Sequence, residues 1–333
     1  MNRHLSQLAH VELLSPKPDE SAAFLSDVIG LEETHREGQS IYFRAWGEWL
    51  HSSLVVTESD TSGLGHASWR TRGPEDLETI VKQISKTTDG EGWVEDSVGH
   101  GPAFRFRAPE GHLHEVFWET DLYEAPPEMA SRYPNRPQRF NPRGCGVRRI
   151  DHVTLGGLDI KASREFYEAT LGSRYMEGFG IKGKKELGAF LTTNAGSHDL
   201  AMVDDPTGIT GRLNHVCYWV DSEIELRRAA DILMECEQPL ELGPERHGVG
   251  ENFNLYTREP GGNRIELNTG PGYANYLPDW EPTFWDLSDG PGSMYLREIP
   301  FEFHKLGSPP AEGELEEQAA KWKQAFNGTP AAH

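Results

Sequence analysis

Short runs in which apolar and polar residues alternate are interrupted four times by segments whose apolar positions recur at helical spacing. In the first half AHVELLS (9–15) reads as a strand, Asp19–Ile29 as a helix opened by Pro18, and SIYFRAW (40–46) and SSLVVTE (52–58) as strands. GHASWRT (65–71) is the next strand, Pro74–Ile84 the next helix, and AFRFRAP (103–109) with HLHEVFW (112–118) a closing hairpin. The second half repeats this order with RIDHVTLG (149–156), a helix over Ile160–Leu171, ELGAFLTT (186–193) and DLAMVD (199–204). RLNHVCYWV (212–220), a helix over Ser222–Glu235, and the hairpin FNLYTR (253–258) and NRIELN (263–268) complete it. AFLSDVIGLEE aligns with EFYEATLGSRY, and RAPEGHLHEVF with REPGGNRIELN, so the repeat extends to local sequence.

This order predicts an α+β chain of four βαβββ units. One unit cannot bury a face of its own short sheet, so pairs of units are expected to form two curved mixed sheets, each around a funnel. The expected domains are 1–120 and 147–285, joined by a Pro- and Arg-rich linker over 121–146. An aromatic segment (Trp280, Phe284, Trp285, Tyr295) leads into a tail, 286–333, with a charged amphipathic helix from about Glu314 to Phe326. It reads as a cover or an oligomer contact.

Three ionisable residues stand where that pattern makes them costly. His152, His215 and Glu266 each lie in the middle of a strand, and a polar group facing a core needs a partner. One metal ion would satisfy all three. Two imidazoles and one carboxylate with open positions suit non-haem Fe(II), and Mn(II) accepts the same donors. Catalytic zinc also uses two His and one Glu, although the HExxH helix of a zinc protease is absent.

Charge narrows the partners. Acids outnumber bases 53 to 32, a net charge of −21, which argues against nucleic acid and anionic membranes. Cys145, Cys217 and Cys236 match no metal or disulfide spacing, which suits a reducing, cytoplasmic setting. Neither a secretory signal nor an 18-residue apolar run is expected to direct the chain to a membrane. Cys217, two residues after His215, shares its strand face and reads as a small buried residue.

The stretch from Arg246 to Glu266 carries a resemblance. His247, Leu255-Tyr256, Glu259-Pro260, Gly262 and Glu266 follow the signature of type I extradiol ring-cleavage dioxygenases of the vicinal oxygen chelate superfamily, and the chain is most similar to catechol 2,3-dioxygenases. Glu245 departs from the small residue usual two before the histidine. The resemblance spans His10 to about Trp285 and implies the glyoxalase/bleomycin-resistance/dioxygenase fold. It makes His152, His215 and Glu266 the ligands of Fe(II) or Mn(II). It makes His198 the acid-base residue, and His247 with Tyr256 the pair that holds the substrate oxygens. The implied reaction is extradiol (meta) cleavage of a catecholic small molecule by O2 to a 2-hydroxymuconic semialdehyde-type product, within aromatic hydrocarbon catabolism and in a homo-oligomer, a tetramer by resemblance.

The first half holds a parallel set, His10, His66 and Glu115, with His51 at the position of His198. Arg105 falls where Tyr256 stands, and a cation beside a dication is unfavourable, so this domain is expected to be metal-free. Two other readings are a ligand-sequestering protein on the same fold, which would lack the triad, and a dioxygenase acting on a 2-oxo acid. The set His198, His247 and Tyr256 favours a catechol.

Overall fold

Each sheet grows outward from an antiparallel pair that joins its two units. The computed structural model describes residues 4–88, 90–95, 97–140, 143–270, 279–295, 299, 303 and 307–310. The first sheet comprises β1 (Leu5–Ser15), β2 (Glu32–Glu37), β3 (Ser40–Arg44), β4 (Leu54–Glu58), β5 (Gly63–Thr71), β6 (Gly90–Val94), β7 (Ala103–Arg107) and β8 (Leu113–Phe117). Their order is β2-β3-β4-β1-β5-β8-β7-β6, so β1 and β5 are central. The second sheet comprises β9 (Arg149–Gly157), β10 (Arg174–Ile181), β11 (Lys185–Thr192), β12 (Leu200–Asp204), β13 (Leu213–Trp219), β14 (Leu242–Arg246), β15 (Phe253–Arg258), β16 (Arg264–Thr269) and β17 (Thr283–Asp286). Its order, β14-β15-β16-β13-β9-β12-β11-β10-β17, repeats the first with one strand added. The two-domain α+β architecture expected from the sequence is the one observed.

The helices follow their local signals. α1 (Pro18–Ala23) starts at its proline and continues as a π-helical turn over Phe24–Ile29, ending at Gly30 with φ 92°, a left-handed conformation that glycine adopts without a Cβ clash. α2 (Pro74–Thr87) also begins with proline. α3 (Ile160–Leu171) is capped by Asp159, whose side chain accepts from the Ala162 N–H, and α4 (Glu223–Glu235) by Ser222, which accepts from Glu225. Leu226, Ala229 and Leu233 of α4 join Leu255, Ile265 and Leu267 in the core. By strand alternation that leaves Tyr256 and Glu266 on the opposite face of the sheet.

The βαβββ plan calls for three strands after each helix, of which the sequence pattern locates two; the structure supplies the remaining one, directly after each helix, in β2, β6, β10 and β14. Three of these form sheet ends. Edge strands are kept charged or interrupted to prevent further pairing, which removes the apolar alternation by which strands are recognised. β2 reads EETHRE with mostly exposed side chains, and β14 contains Pro244.

The aromatic segment packs on the second sheet. β17 runs parallel to β10, Trp285 Nε1–H donates to Glu177 Oε2 (2.8 Å), and Trp280 Nε1–H donates to the Met176 carbonyl (3.1 Å). The amphipathic helix expected over Glu314–Phe326 lies outside the described residues. No helix among the described residues is long and apolar enough to cross a membrane.

Candidate metal centre

Strand register assembles the site. Tyr256 on β15 is paired with Glu266 on β16, Glu266 with Cys217 on β13, and Cys217 with His152 on β9. Register partners share a face, so four residues from four strands form one row. His215, two residues before Cys217, adds a second imidazole on that face, next to a register shift between Leu213 and His215.

The donor atoms converge. His215 Nε2 is 2.8 Å and His152 Nε2 3.1 Å from Glu266 Oε2, and the two nitrogens are 3.1 Å apart. All three residues are buried. Neither Glu266 oxygen has an aligned hydrogen-bond donor among the described residues. A buried carboxylate without donors is costly, and a cation between these atoms removes the cost. The donor set therefore fits a divalent ion.

The Nδ1 atoms fix the rings for this task. His152 Nδ1 is 3.0 Å from Asp151 Oδ2, and His215 Nδ1 is 2.8 Å from Asn214 Oδ1. Both oxygens only accept, so both Nδ1 atoms carry hydrogen and both Nε2 atoms turn toward the centre. Asp151 is held in turn by Arg149 (2.6 Å) and by Asn268 Nδ2–H (3.0 Å). Burial pushes the Asp151 carboxyl up, but Arg149 and His152 outweigh it and hold the group well below the usual carboxylate range. These supporting residues were missed at the sequence level. Asp151 and Asn214 directly precede the two histidines, and that adjacency was the available signal.

Burial depresses His152, but Glu266 and Asp151 outweigh it and lift the ring to about 9. Burial lowers His215 to about 4 against the pull of Glu266. Burial would raise Glu266, yet His215 and His152 keep it well below the carboxylate range. Cys217 is no thiolate donor, because burial first and Glu266 second push its thiol well above its usual value.

The other expected residues border this centre. His198, just before β12, lies with its ring 4.3 Å from that of His152 and 5.0 Å from Phe190, and its Nδ1 is 2.9 Å from Ser197 Oγ. Burial, then His152, holds it well below the usual histidine value, so it is a neutral imidazole. His247 Nδ1 bonds the Gly292 carbonyl, which leaves Nε2 to accept from the Tyr256 hydroxyl at 2.8 Å. His247 Nε2 stays 3.8 Å from Glu266 Oε1. Burial and the Glu266 charge keep Tyr256 a neutral phenol. A cleft of about 580 Å³ is lined by His198, Asp151, Trp219 and Leu50, and it flanks the cluster without being its chamber.

The motif's acidic residue has a structural task. Glu259 accepts from the backbone N–H of Gly261 (2.5 Å) and Asn263 (2.7 Å), from Asn263 Nδ2–H (2.8 Å), and from Ser21 Oγ–H of the other domain. Gly262 at φ +106° closes the turn. This turn sets the β15–β16 register on which the Tyr256–Glu266 pair depends.

Comparison with known proteins gives the family and the fold. Residues 149–267 match the family model described as the glyoxalase/bleomycin resistance protein/dioxygenase superfamily. The chain is 40% identical over 289 residues to a metapyrocatechase of Geobacillus stearothermophilus, covering 87% of this chain and 88% of the relative. It is 35% identical to a manganese-dependent 2,3-dihydroxybiphenyl 1,2-dioxygenase of Geobacillus genomosp. 3, covering 87% and 94%. A solved 2,3-dioxygenase from Pseudomonas sp. KL28 superposes with a TM-score of 0.78 at 27% identity, covering 85% of this chain and 98% of that one. Sequence, fold and the converging His-His-Glu set lead to one statement of kinship: the chain belongs to the extradiol dioxygenases of the glyoxalase/bleomycin resistance/dioxygenase superfamily.

Proposed function

We propose that the protein cleaves a catechol-type diol with O2 in the extradiol (meta) mode, at one Fe(II) or Mn(II) ion held by His152, His215 and Glu266. The observation that carries this reading is the buried Glu266 carboxylate, neither oxygen of which has an aligned donor among the described residues, with Oε2 within 3.1 Å of two imidazole nitrogens. When bound, the ion supplies Lewis acidity toward both diol oxygens and a path for electrons from the diol to O2. Fe(II) fits the donors by ligand type, and the manganese-dependent relative supports Mn(II) on the same donors.

The chain's own groups manage position and protons. Tyr256 directs its proton to His247, so the phenol oxygen is free to accept a hydrogen bond from one diol hydroxyl. His247, fixed by the Gly292 carbonyl, takes up charge from that relay. Neutral His198 accepts the second diol proton, stabilises negative charge developing on oxygen, and returns the proton as the O–O bond breaks. Both atoms of O2 end in the ring-opened product, so no external reductant is required. Burial of the cluster excludes competing water.

Metal-depleted protein reloaded anaerobically with one equivalent of Fe(II) or of Mn(II), then assayed in air against substituted, bicyclic and simple catechols, tests the reading. A yellow semialdehyde-type product with either ion supports it and identifies the metal. A muconate, from cleavage between the hydroxyls, overturns it.

A further inference from the structure

A second polar row lies beside the metal row on the same face of the sheet. Glu245 on β14, Asn254 on β15, Asn268 on β16 and Trp219 on β13 are successive register partners. Asn254, Asn268 and Trp219 stand two residues from Tyr256, Glu266 and Cys217 in turn, so alternation puts both rows on one face, about 7 Å apart. The His247 N–H donates to the Asn252 carbonyl at 2.8 Å and extends the β14–β15 ladder by one pair. On that face the Glu245–Asn254 pair therefore lies between His247 and Tyr256, and the hydrogen bond from the Tyr256 hydroxyl to His247 Nε2 spans it.

The row is buried and short of partners. Glu245, Asn252, Asn254 and Asn268 are each no more than 3% exposed. Ser293 Oγ–H donates to Glu245 Oε2, and Asn268 Nδ2–H donates to Asp151 Oδ2 at 3.0 Å. Glu245 Oε1, Asn252 Oδ1, Asn268 Oδ1 and both side-chain polar atoms of Asn254 have no partner among the described residues. Buried polar atoms in folded chains are nearly always paired, and a surplus beside a reaction centre marks a place that a ligand completes. Asn252, Trp219 and Asp151 also line the cleft of about 580 Å³, so the row ends at open volume beside His198.

The chemistry of the unpaired atoms selects the ligand. Four of the five are acceptor oxygens, one of them on a carboxyl, and the single donor is Asn254 Nδ2. Their complement is a group that brings N–H or O–H hydrogen. A carboxylate would meet one donor and would stand beside Glu245 and Glu266, like charges in a buried place. Burial first, then Glu266, Cys217 and Glu245, raises the Tyr256 phenol, which places Glu245 within electrostatic reach of the residue that meets the diol. The family signature has a small residue at this position, so the carboxyl is this chain's own addition to the wall.

We propose, resting on the extradiol reading above, that Glu245, Asn252, Asn254 and Asn268 form a specificity subsite for the ring substituent of the diol. It accepts a hydrogen-bond-donating amine or hydroxyl and turns carboxylates away.

Anaerobic titration calorimetry on full-length protein reloaded with Fe(II) or Mn(II) tests this with four catechols that carry 2-aminoethyl, 2-hydroxyethyl, ethyl or carboxymethyl at ring carbon 4. The aminoethyl and hydroxyethyl diols are expected to bind about 10-fold or more tighter than the ethyl one, and the carboxymethyl diol most weakly. Glu245→Gln keeps the shape and removes the charge, and it is expected to narrow the gap between the aminoethyl and carboxymethyl diols by about 10-fold. Should the variant fail to fold, the wild-type ranking decides by itself. Equal affinity for the ethyl and hydroxyethyl diols in the wild type, or an unchanged gap in the variant, overturns the subsite and leaves buried water on the row. Cleavage is read separately on admitting air: no ring-fission product from any of the four overturns the extradiol reading, and the substrate class with it.

Discussion

At the scale of residues, what separates a candidate ligand from its neighbours is the state of the far side of its ring. His152 and His215 have carboxylate and amide acceptors on Nδ1, which fixes the hydrogen there and aims Nε2 inward. Replacing Asp151 by Asn removes the charge that raises ligand basicity, and metal affinity is expected to fall by about 10–100-fold, read by competition with a chelator. An unchanged affinity would remove Asp151 from the metal's support. His198→Ala is expected to lower turnover by about 10²–10⁴ while metal content stays constant, measured by steady-state rates beside elemental analysis. Equal turnover would take the proton role from His198. Of the six residues that converge here, His152, His215 and Glu266 were legible because their types are expensive in mid-strand positions, and His198, His247 and Tyr256 came only from the resemblance to a known family. The sequence did not reveal Asp151, Asn214, Asn268 or Gly292, whose polar types are ordinary at strand ends and loops and acquire meaning only through contact.

At the scale of elements, turns govern the chemistry by governing register. A slip of one residue between β15 and β16 would send Tyr256 or Glu266 to the opposite face. Glu259 holds that turn through two backbone N–H groups, the Asn263 amide and Ser21. Glu259→Ala leaves these buried donors without an acceptor, and a loss of about 2–4 kcal/mol in unfolding free energy is expected from urea denaturation. A change below about 0.5 kcal/mol would show that the turn is held otherwise. The helices and inner strands were legible because burial on one face imposes a period. The four strands that follow the helices were not, since β2 and β14 carry charge or proline where an inner strand carries Val or Ile.

For the molecule as a whole, the two domains meet through buried polar contacts as well as apolar ones. Glu48 accepts from Ala45 N–H and Ser53 Oγ–H in its own domain and from Ile150 N–H in the other, each at 2.6 Å. Burial, the largest influence, raises its pKa above 4.5 despite these donors. A carboxyl with a raised folded value binds its proton more readily folded than unfolded, so its contribution to stability grows as pH falls from the folded value toward 4.5 and is lost as pH rises through it. Relative to Glu48→Gln, the wild type should therefore gain stability as acidity increases through that window, measured by denaturation at matched pH values; parallel curves would refute it. Ser53 Oγ with the Tyr218 hydroxyl (3.0 Å), and His114 Nε2 with the Tyr167 hydroxyl (2.9 Å), cross the same boundary. By itself, the sequence determined the duplicated plan and the α+β class and singled out His152, His215 and Glu266 as candidate ligands, because periodicity and the cost of burying charge are local properties. Only the tertiary structure decided which strands lie side by side, that the His247 loop turns to Tyr256, and which neighbours fix each ring. Those outcomes depend on pairings between residues far apart in the chain, which no local pattern encodes.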